Sequence, residues 1–482
     1  MNQKKYALFA SLILSLSIFI LYSYNLSQAV LFTSDLGRDL YKTIRITQGD
    51  LVLIGSKMNL GGYFAGPYLY YLLAPSLLIG RFDINAVLYF HAMLFAASIG
   101  YFFWQTSQKL NPLKALVGAL ALTFMPLLLI CARYPSNGYS YLSLLLFLLT
   151  YIFFSNFESK KALLILGLVT GVILNIHPIS SLALIFVAFY ILFSLKKKQL
   201  FLFFAGALLV TFAPTIVFEL RHDFVMTKDT FINHSYLTFT KDSHTPQFWQ
   251  SKNPILSSFL FISEKFKKLI VLPPLFYFIS VFCLLVWKRL HSRKIPKLDL
   301  FLALSMIASL FLLIAVLRFH FEEHYIFSVA FFISVTAMIL ILRSKLWIFI
   351  LVIIFLEIQN FPVYLYQNSA RSLIKIEQAV KYSINQRLVS KTVPFNLIQI
   401  TDAYGLVPTG FEYRFFFRKY GLYPNSEYDF ENAKVLLIFS ETPYYNIDRF
   451  KMWATEQFGR EYFNKREVYH SGNIDIYRIS KQ

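Results

Sequence analysis

The stretch Gly66-Pro67-Tyr68-Leu69-Tyr70-Tyr71-Leu72-Leu73-Ala74-Pro75-Ser76-Leu77-Leu78-Ile79 decides the fold, because the sidedness of every later segment depends on whether it crosses a membrane. It lies in a chain of 482 residues that is 57% hydrophobic and only 15% charged. Soluble domains run nearer a quarter charged. Apolar runs near the ~20 residues a bilayer crossing needs recur at 6–24, 84–105, 115–131, 139–155, 162–176, 180–195, 199–217, 269–287, 298–317, 325–342 and 346–359. Backbone groups in lipid must be satisfied within a helix or a closed barrel. The chain therefore reads as an all-α polytopic membrane protein. The first run is long for a signal-peptide core, and no small-residue cleavage site follows it, so it reads as a retained span.

Charge decides the status of Pro67–Ile79. If it does not cross, Lys109, Lys114, Lys160, Lys161 and Lys196 to Lys198 lie on the same side as Lys4 and Lys5. Lys288, Arg289, Arg293, Lys294, Lys297, Arg343 and Lys345 then join them. If it crosses, every later loop flips and the bias disappears, against the rule that short cytoplasmic loops collect Lys and Arg. The segment is also short, follows Gly61, Gly62 and Gly66, and contains Pro75. It is expected to be a juxtamembrane helix on the outer face. The expectation is then about eleven transmembrane helices in a multi-pass plasma-membrane protein, with a cytoplasmic N-terminus and an extracytoplasmic C-terminal domain.

Residues 1–360 form the expected membrane domain, with a first outer loop at 25–83 and a long outer loop at 218–268. Residues 361–482 are far more polar and read as a small α/β domain. Helices are expected at Ser372–Gln386, Glu412–Tyr420 and Asp448–Phe458, and strands at Asn396–Ile400, Val435–Phe439 and Ile474–Ile479. The net charge of +20 follows from the loop bias and does not point to nucleic acid. Cys131 and Cys283 fall at or within apolar runs, which argues against a disulfide framework.

Polar residues are scarce enough outside the loops that their clusters carry meaning. Ser34-Asp35-Leu36-Gly37-Arg38-Asp39 opens the first outer loop. Leu36, Leu40 and Ile44 recur at four-residue spacing, so a helix is expected from about Asp35, with Asp35 and Asp39 one turn apart on one face and Arg38 beside them. A carboxylate held there can act as a general base. The alternative is that Ser34 or Asp35 caps the helix. Arg38, Lys42, Arg45 and Lys57 are cations on the side that should lack them. They read either as phosphate ligands or as side chains snorkelling to headgroups. Arg133, Tyr134 and Asn137 form a tight outward turn, and Asn137 serves either a sugar hydroxyl or the turn itself. His177 sits in a short outward hairpin, as a substrate contact or a structural residue. Glu219, Arg221, His222 and Asp223 read as a solvated boundary. Arg318, His320, Glu322, Glu323 and His324 form the densest late cluster. The two His and two Glu could hold a divalent metal, but the spacing matches no sharp metal motif, and no metal or other cofactor is assigned. Phosphate contacts from Arg318, His320 and His324 are the preferred reading. No phosphate-binding Gly-rich lysine loop, dinucleotide fingerprint or nucleophile elbow is present, which fits a substrate delivered from the membrane.

On these residues the chain resembles the GT-C superfamily of membrane glycosyltransferases, and within it the glycosyltransferase family 39 relatives, which include protein O-mannosyltransferases and lipid A aminoarabinose transferases. The resemblance rests on Asp35 soon after the first span, Gly49-Asp50 ending a helix, Gly66 to Tyr71 in an outer-face helix, Gly80-Arg81-Phe82 before the second span, and His324-Tyr325 opening a later one. It implies a GT-C-like fold and inverting transfer of a sugar from a polyprenyl-phosphate donor to a glycan, lipid or protein hydroxyl on the outer face of the cell envelope. It carries the base over to Asp35. A second acid that the family often holds in the next outer loop is replaced by Asn137. The implied site has Asp35 and Asp39 as acids, and Arg38, Arg318, His320 and His324 on the donor phosphate. Tyr68, Tyr71, Arg133, Asn137, His177, Glu322 and Glu323 are the implied substrate contacts, with membrane lipids around them. The rival reading is a transporter or flippase of a lipid-linked sugar, which should show ionisable groups deep in several spans or paired broken helices.

Overall fold

The computed structural model describes residues 2–58, 63–234, 252–292, 296–317, 322–369, 371–401, 409–442, 447 and 451–481. The chain divides into two compact units. One comprises Met1–Tyr24, Val52–Leu69 and Tyr89–Tyr364; the other comprises Asn25–Leu51, Tyr70–Leu88 and Leu365–Gln482.

The first unit is helical and apolar. Among the described residues four helices are long and apolar enough to cross a membrane: Lys4–Ala29, Ile84–Ser107, Lys297–Leu317 and Glu323–Leu342. Three further pairs, bent at short breaks, bring the number to as many as seven. Shorter apolar helices include Tyr141–Phe154, Pro178–Ser194 and Tyr68–Ile79, the last falling in the second unit from Tyr70 onward. At about 1.5 Å per residue the 12 residues of Tyr68–Ile79 give ~18 Å, well short of a ~30 Å hydrocarbon core.

Several runs expected to be continuous are not. The run 115–131 is two helices, Pro112–Phe124 and Pro126–Ala132, bent by 61°. Met125 before the proline adopts φ −57°, ψ 117°, as the ring of a following proline demands. The run 199–217 breaks by 46° between Val210 and Ala213, just ahead of Pro214. The run 269–287 begins instead at Pro274, after an 82° bend from the helix Pro254–Ile270. Part of the expected outer loop at 218–268 is thereby helical.

The helix Phe327–Leu342 is buried at every position and forms the centre of this unit. Its C-terminal carbonyls are met by cations: Lys114 Nζ donates to Leu342 O at 3.2 Å and to Ser344 O at 2.8 Å. Lys198 similarly donates to the carbonyls of Leu192 and Phe193, and Lys288 pairs with Asp299 at 2.5 Å. Lys114 and Lys198 thus also satisfy carbonyls left open at helix ends.

The second unit contains a four-stranded sheet in the order β1-β2-β4-β3. β1 (Phe395–Ile400) pairs in parallel with β2 (Val435–Ser440). β2 pairs antiparallel with β4 (Ile474–Ser480), which pairs antiparallel with β3 (Glu467–Ser471). β1 and β2 are buried at every residue, with Val435–Phe439 an unbroken apolar run and the polar Asn396, Gln399 and Ser440 buried as well. β3 is a half-exposed edge strand, Glu-Val-Tyr-His-Ser, and has no counterpart among the expected elements. It joins β4 through a two-residue turn with Gly472 at φ 60°, the left-handed conformation such hairpins use. The expected helices are present as Leu373–Asn385, Phe411–Lys419 and Trp453–Phe458. Residues 448–450, which start the last of them in the sequence reading, lie outside the described residues.

The first-loop helix, Ser34–Thr47, belongs to this second unit. It buries Leu36, Leu40 and Ile44 completely and runs against the helix Phe411–Lys419. Phe32 meets Phe416 edge to face at 5.9 Å, and Tyr41 meets Phe411 at 5.8 Å. At Gly37 the backbones approach so closely that a Cβ would stand 2.7 Å from the Glu412 nitrogen. Glycine is required there by space.

Beneath this contact Glu412 is fully buried. Burial pushes its carboxyl above the ordinary glutamate range, with Arg371 working against the rise. A folded-state pKa above the unfolded one means that folding takes up protons across that interval, so stability falls as pH rises from the ordinary glutamate value through the raised one. Glu412→Gln should flatten this slope. Melting of the full-length protein between the two pH limits checks it, and an unchanged slope would mean that Glu412 does not titrate there.

Candidate active site

The polar face of Ser34–Thr47 is built by helical spacing. Thr33 is the N-cap, in extended conformation, and its hydroxyl accepts from Leu36 N at 3.2 Å. The reading of Ser34 or Asp35 as the cap is thereby corrected: Thr33 already satisfies the first-turn amide. The Asp35 carboxylate is directed elsewhere, and its Oδ1 accepts from Arg38 Nη1 at 2.8 Å. Arg38 Nε donates to Asp39 Oδ1 at 3.0 Å. One guanidinium thus links two acids a turn apart. Burial works to lower the Arg38 pKa, but Asp39 and Asp35 more than offset it, and the net direction is up.

Exposure separates the two acids. The Asp35 side chain is 46% exposed and that of Asp39 is 1% exposed. Asp39 also lies 3.5 Å from the hydroxyl of buried Tyr70, which reaches it from the helix Tyr68–Ile79. Burial, then the neighbouring Asp39, holds that phenol well above its usual range. Lys42, one turn further on, lies 5.7 Å from the Tyr70 ring centroid. Its ammonium is pushed down by burial and then by Arg38. The arrangement therefore has an enclosed end, Asp39 with Tyr70, and an open end, Asp35. Of these two acids, Asp35 is the one open to a group arriving from outside, and a general base must reach its proton at hydrogen-bond distance. Arg38 holds Asp35 rather than standing as an uncommitted cation.

The far end of the helix is fastened by charge. Asp50 accepts from Arg45 Nε and Arg418 Nη2, each at 3.0 Å. Hydrogen bonding from Arg45 leads the influences that lower the Asp50 pKa. The Gly49-Asp50 pair of the sequence reading is thus a helix terminus, with Gly49 at φ 99°.

The remaining candidates, Tyr71 apart, lie in the other unit. Arg133 is 3% exposed, and its Nη1 donates to Tyr22 O at 2.7 Å and Tyr24 O at 2.9 Å. That places a cation on the C-terminal carbonyls of the first helix, a structural arrangement by geometry. Asn137 has φ 51° and precedes Gly138 at φ 73°, the conformation of a tight turn. Tyr68 donates to Thr211 O at 2.7 Å, and Tyr71 is half-buried. Glu219, expected as a solvated boundary residue, accepts from the backbone amides of Met226 at 2.9 Å and Thr227 at 2.8 Å. It caps the short helix Val225–Phe231.

His177 is 2% exposed. It stacks on Tyr141 with centroids 4.4 Å apart and meets His324 edge-on at 5.6 Å. Among the described residues neither His177 ring nitrogen has a hydrogen-bond partner. The structure therefore brings together two histidines that lie 147 positions apart (324 − 177), and adds Tyr141, which carried no signal in the sequence. Glu323 pairs with Lys265, and Glu322 precedes the same short helical turn. Arg318 and His320 lie outside the described residues. Among the described residues no group of three or more His, Cys, Asp or Glu could hold a metal ion.

No family model and no curated protein matches this sequence. Among solved structures the chain is similar to ArnT from Cupriavidus metallidurans. One match is to the apo state and another to the form bound to undecaprenyl phosphate. Each is 11% identical, covers 97% of both chains and has a TM-score of 0.46.

Proposed function

We propose that this protein is a membrane glycosyltransferase that moves a sugar, with inversion, from a polyprenyl-phosphate-linked donor to a hydroxyl acceptor on the outer face of the membrane. The observation that carries the proposal is Asp35. It is a half-exposed carboxylate held by Arg38 at the first turn of a helix whose opposite face is buried, in a chain otherwise dominated by apolar helices. In the reaction Asp35 accepts the proton of the acceptor hydroxyl, the freed oxygen attacks the anomeric carbon, and the polyprenyl phosphate leaves as an anion. Such a leaving group needs positive charge more than a proton donor. Arg38, Arg318, His320 and His324 are the cations proposed for it, and Tyr68, Tyr71, Asn137 and His177 the contacts proposed for donor and acceptor. Asp39, enclosed with Tyr70, serves to hold Arg38.

The test is sugar transfer by purified protein in lipid, using a panel of polyprenyl-phosphate sugars and mixed acceptor glycans, lipids and peptides. Transfer from at least one donor is expected. Movement of the intact donor across vesicles without transfer would replace this reading with the flippase. The proposed topology has its own check: Lys109→Cys and Lys345→Cys, both at exposed positions, should react with an impermeant thiol reagent only from the cytoplasmic side. Labelling of Lys109→Cys from outside would make Tyr68–Ile79 part of a crossing.

A further inference from the structure

We propose that the buried cluster of Arg371, Glu412 and Glu441 is a positioning device that sets the depth and rotation of the Ser34–Thr47 helix, and through it the aim of Asp35. The inference rests on Asp35 being the base.

Three distant pieces of chain meet in this cluster. Arg371 grips Glu441 with two bonds, Nε to Oε2 at 2.5 Å and Nη2 to Oε1 at 2.8 Å. Its Nη2 also lies 3.1 Å from Glu412 Oε1. Tyr413 donates its hydroxyl to Glu441 Oε1 at 2.8 Å. Gln399, at the end of β1, offers its amide to both acids at 3.3 and 3.4 Å. The cluster then touches the catalytic segment twice. The backbone carbonyl of Arg371 accepts from Phe32 N at 3.3 Å, two residues before the helix. Glu412 forms the floor on which Gly37 rests, with both its nitrogen and its Cγ 2.7 Å from where a Gly37 Cβ would be.

Apolar contact alone would not need this. Leu36, Leu40 and Ile44 are enough to dock the helix, but burial of such side chains is non-directional and tolerates a slide or a few degrees of roll. Bidentate Arg–carboxylate bonds fix distance and orientation together. Burying three charges costs several kcal/mol per ion before their attraction is counted, so the cluster is a poor way to gain stability and a good way to gain geometry.

The experiment measures transfer kinetics of full-length variants in lipid. Glu412→Ala and Arg371→Met should lower kcat about 10²-fold, the cost of a reacting group misplaced by about 1 Å, with donor KM nearly unchanged. Glu412→Gln keeps the shape and one acceptor and should recover most of the loss. Gly37→Ala pushes on the same contact from the helix side and should give the same split between kcat and KM. A kcat unchanged in Glu412→Ala, or losses that appear mainly in KM, would overturn the proposal. If the wild type transfers from no donor, the assignment of Asp35 fails on its own. Hydrogen exchange then decides the positioning role. Faster exchange at Leu36 to Asp39 in Glu412→Ala, with β1 and β2 unchanged, supports it; unchanged exchange there removes it.

Discussion

Asp35→Asn is expected to abolish sugar transfer, lowering kcat by about 10²–10⁴-fold, while the protein folds and binds donor as before. The asymmetry between the two acids leads to this. A half-exposed ion pair such as Asp35–Arg38 is worth at most about 1 kcal/mol, so its loss is almost invisible in stability. Asn cannot take a proton from an acceptor hydroxyl, so its effect falls on the chemical step. Asp39→Asn should behave in the opposite way. Asp39 is enclosed with Arg38 and Tyr70, and weakening a buried charged hydrogen bond costs about 1.5–3 kcal/mol. The unfolding midpoint should drop while transfer falls only several-fold, as Arg38 loses one of its two anchors. Parallel kinetics and melting of both variants read the contrast. Full activity in Asp35→Asn would remove it as the base.

Arg414→Met is expected to destabilise the unit that holds the sheet by about 3–5 kcal/mol, a large part of the ~5–15 kcal/mol that holds a domain together. Arg414 has no exposed surface. Its guanidinium donates to Thr409 O at 2.5 Å, Asn425 O at 2.6 Å and Leu397 O at 3.4 Å, and to Asn396 Oδ1. Asn396 in turn donates to Ser426 O at 2.9 Å and Asp429 O at 2.8 Å. These acceptors are mostly backbone carbonyls, which no compensating substitution removes. Burial lowers the Arg414 pKa to about 10, with Tyr41 and Glu427 acting in the other direction. Methionine would fill the channel of the side-chain stem and leave the carbonyls unpaired. Denaturant unfolding followed through Trp453, which packs on Phe430 at 5.4 Å, measures the loss. An unchanged midpoint would mean that the chain rearranges to satisfy those carbonyls without Arg414.

Both predictions turn on differences that no local pattern carries. The four-residue spacing of Leu36, Leu40 and Ile44 places Asp35, Arg38 and Asp39 together, because helix geometry is local. It does not say which acid is buried. That depends on Tyr70 and on Phe411–Lys419, the latter more than 360 positions away from Ser34–Thr47. Thr33, Ser34 and Asp35 are all good capping residues, and only backbone conformation singles out Thr33 as the cap. Likewise Arg371, Glu412 and Glu441 look like ordinary charges on a polar tail until folding buries them side by side.

By itself the sequence determined the membrane class, the helix bearing Asp35, and strands β1, β2 and β4. Each of these is written in hydrophobic periodicity or in a short apolar-rich segment, and both are properties of neighbouring residues. Tertiary structure decided the break at Pro126, the exposed edge strand β3, the stacking of His177 on Tyr141, and the grouping of the first-loop helix with the C-terminal sheet. It also decided that Asp35 stays open while Asp39 is closed in. Burial is set by what comes to lie against a residue from elsewhere in the chain, and a single sequence does not encode that in any local spacing.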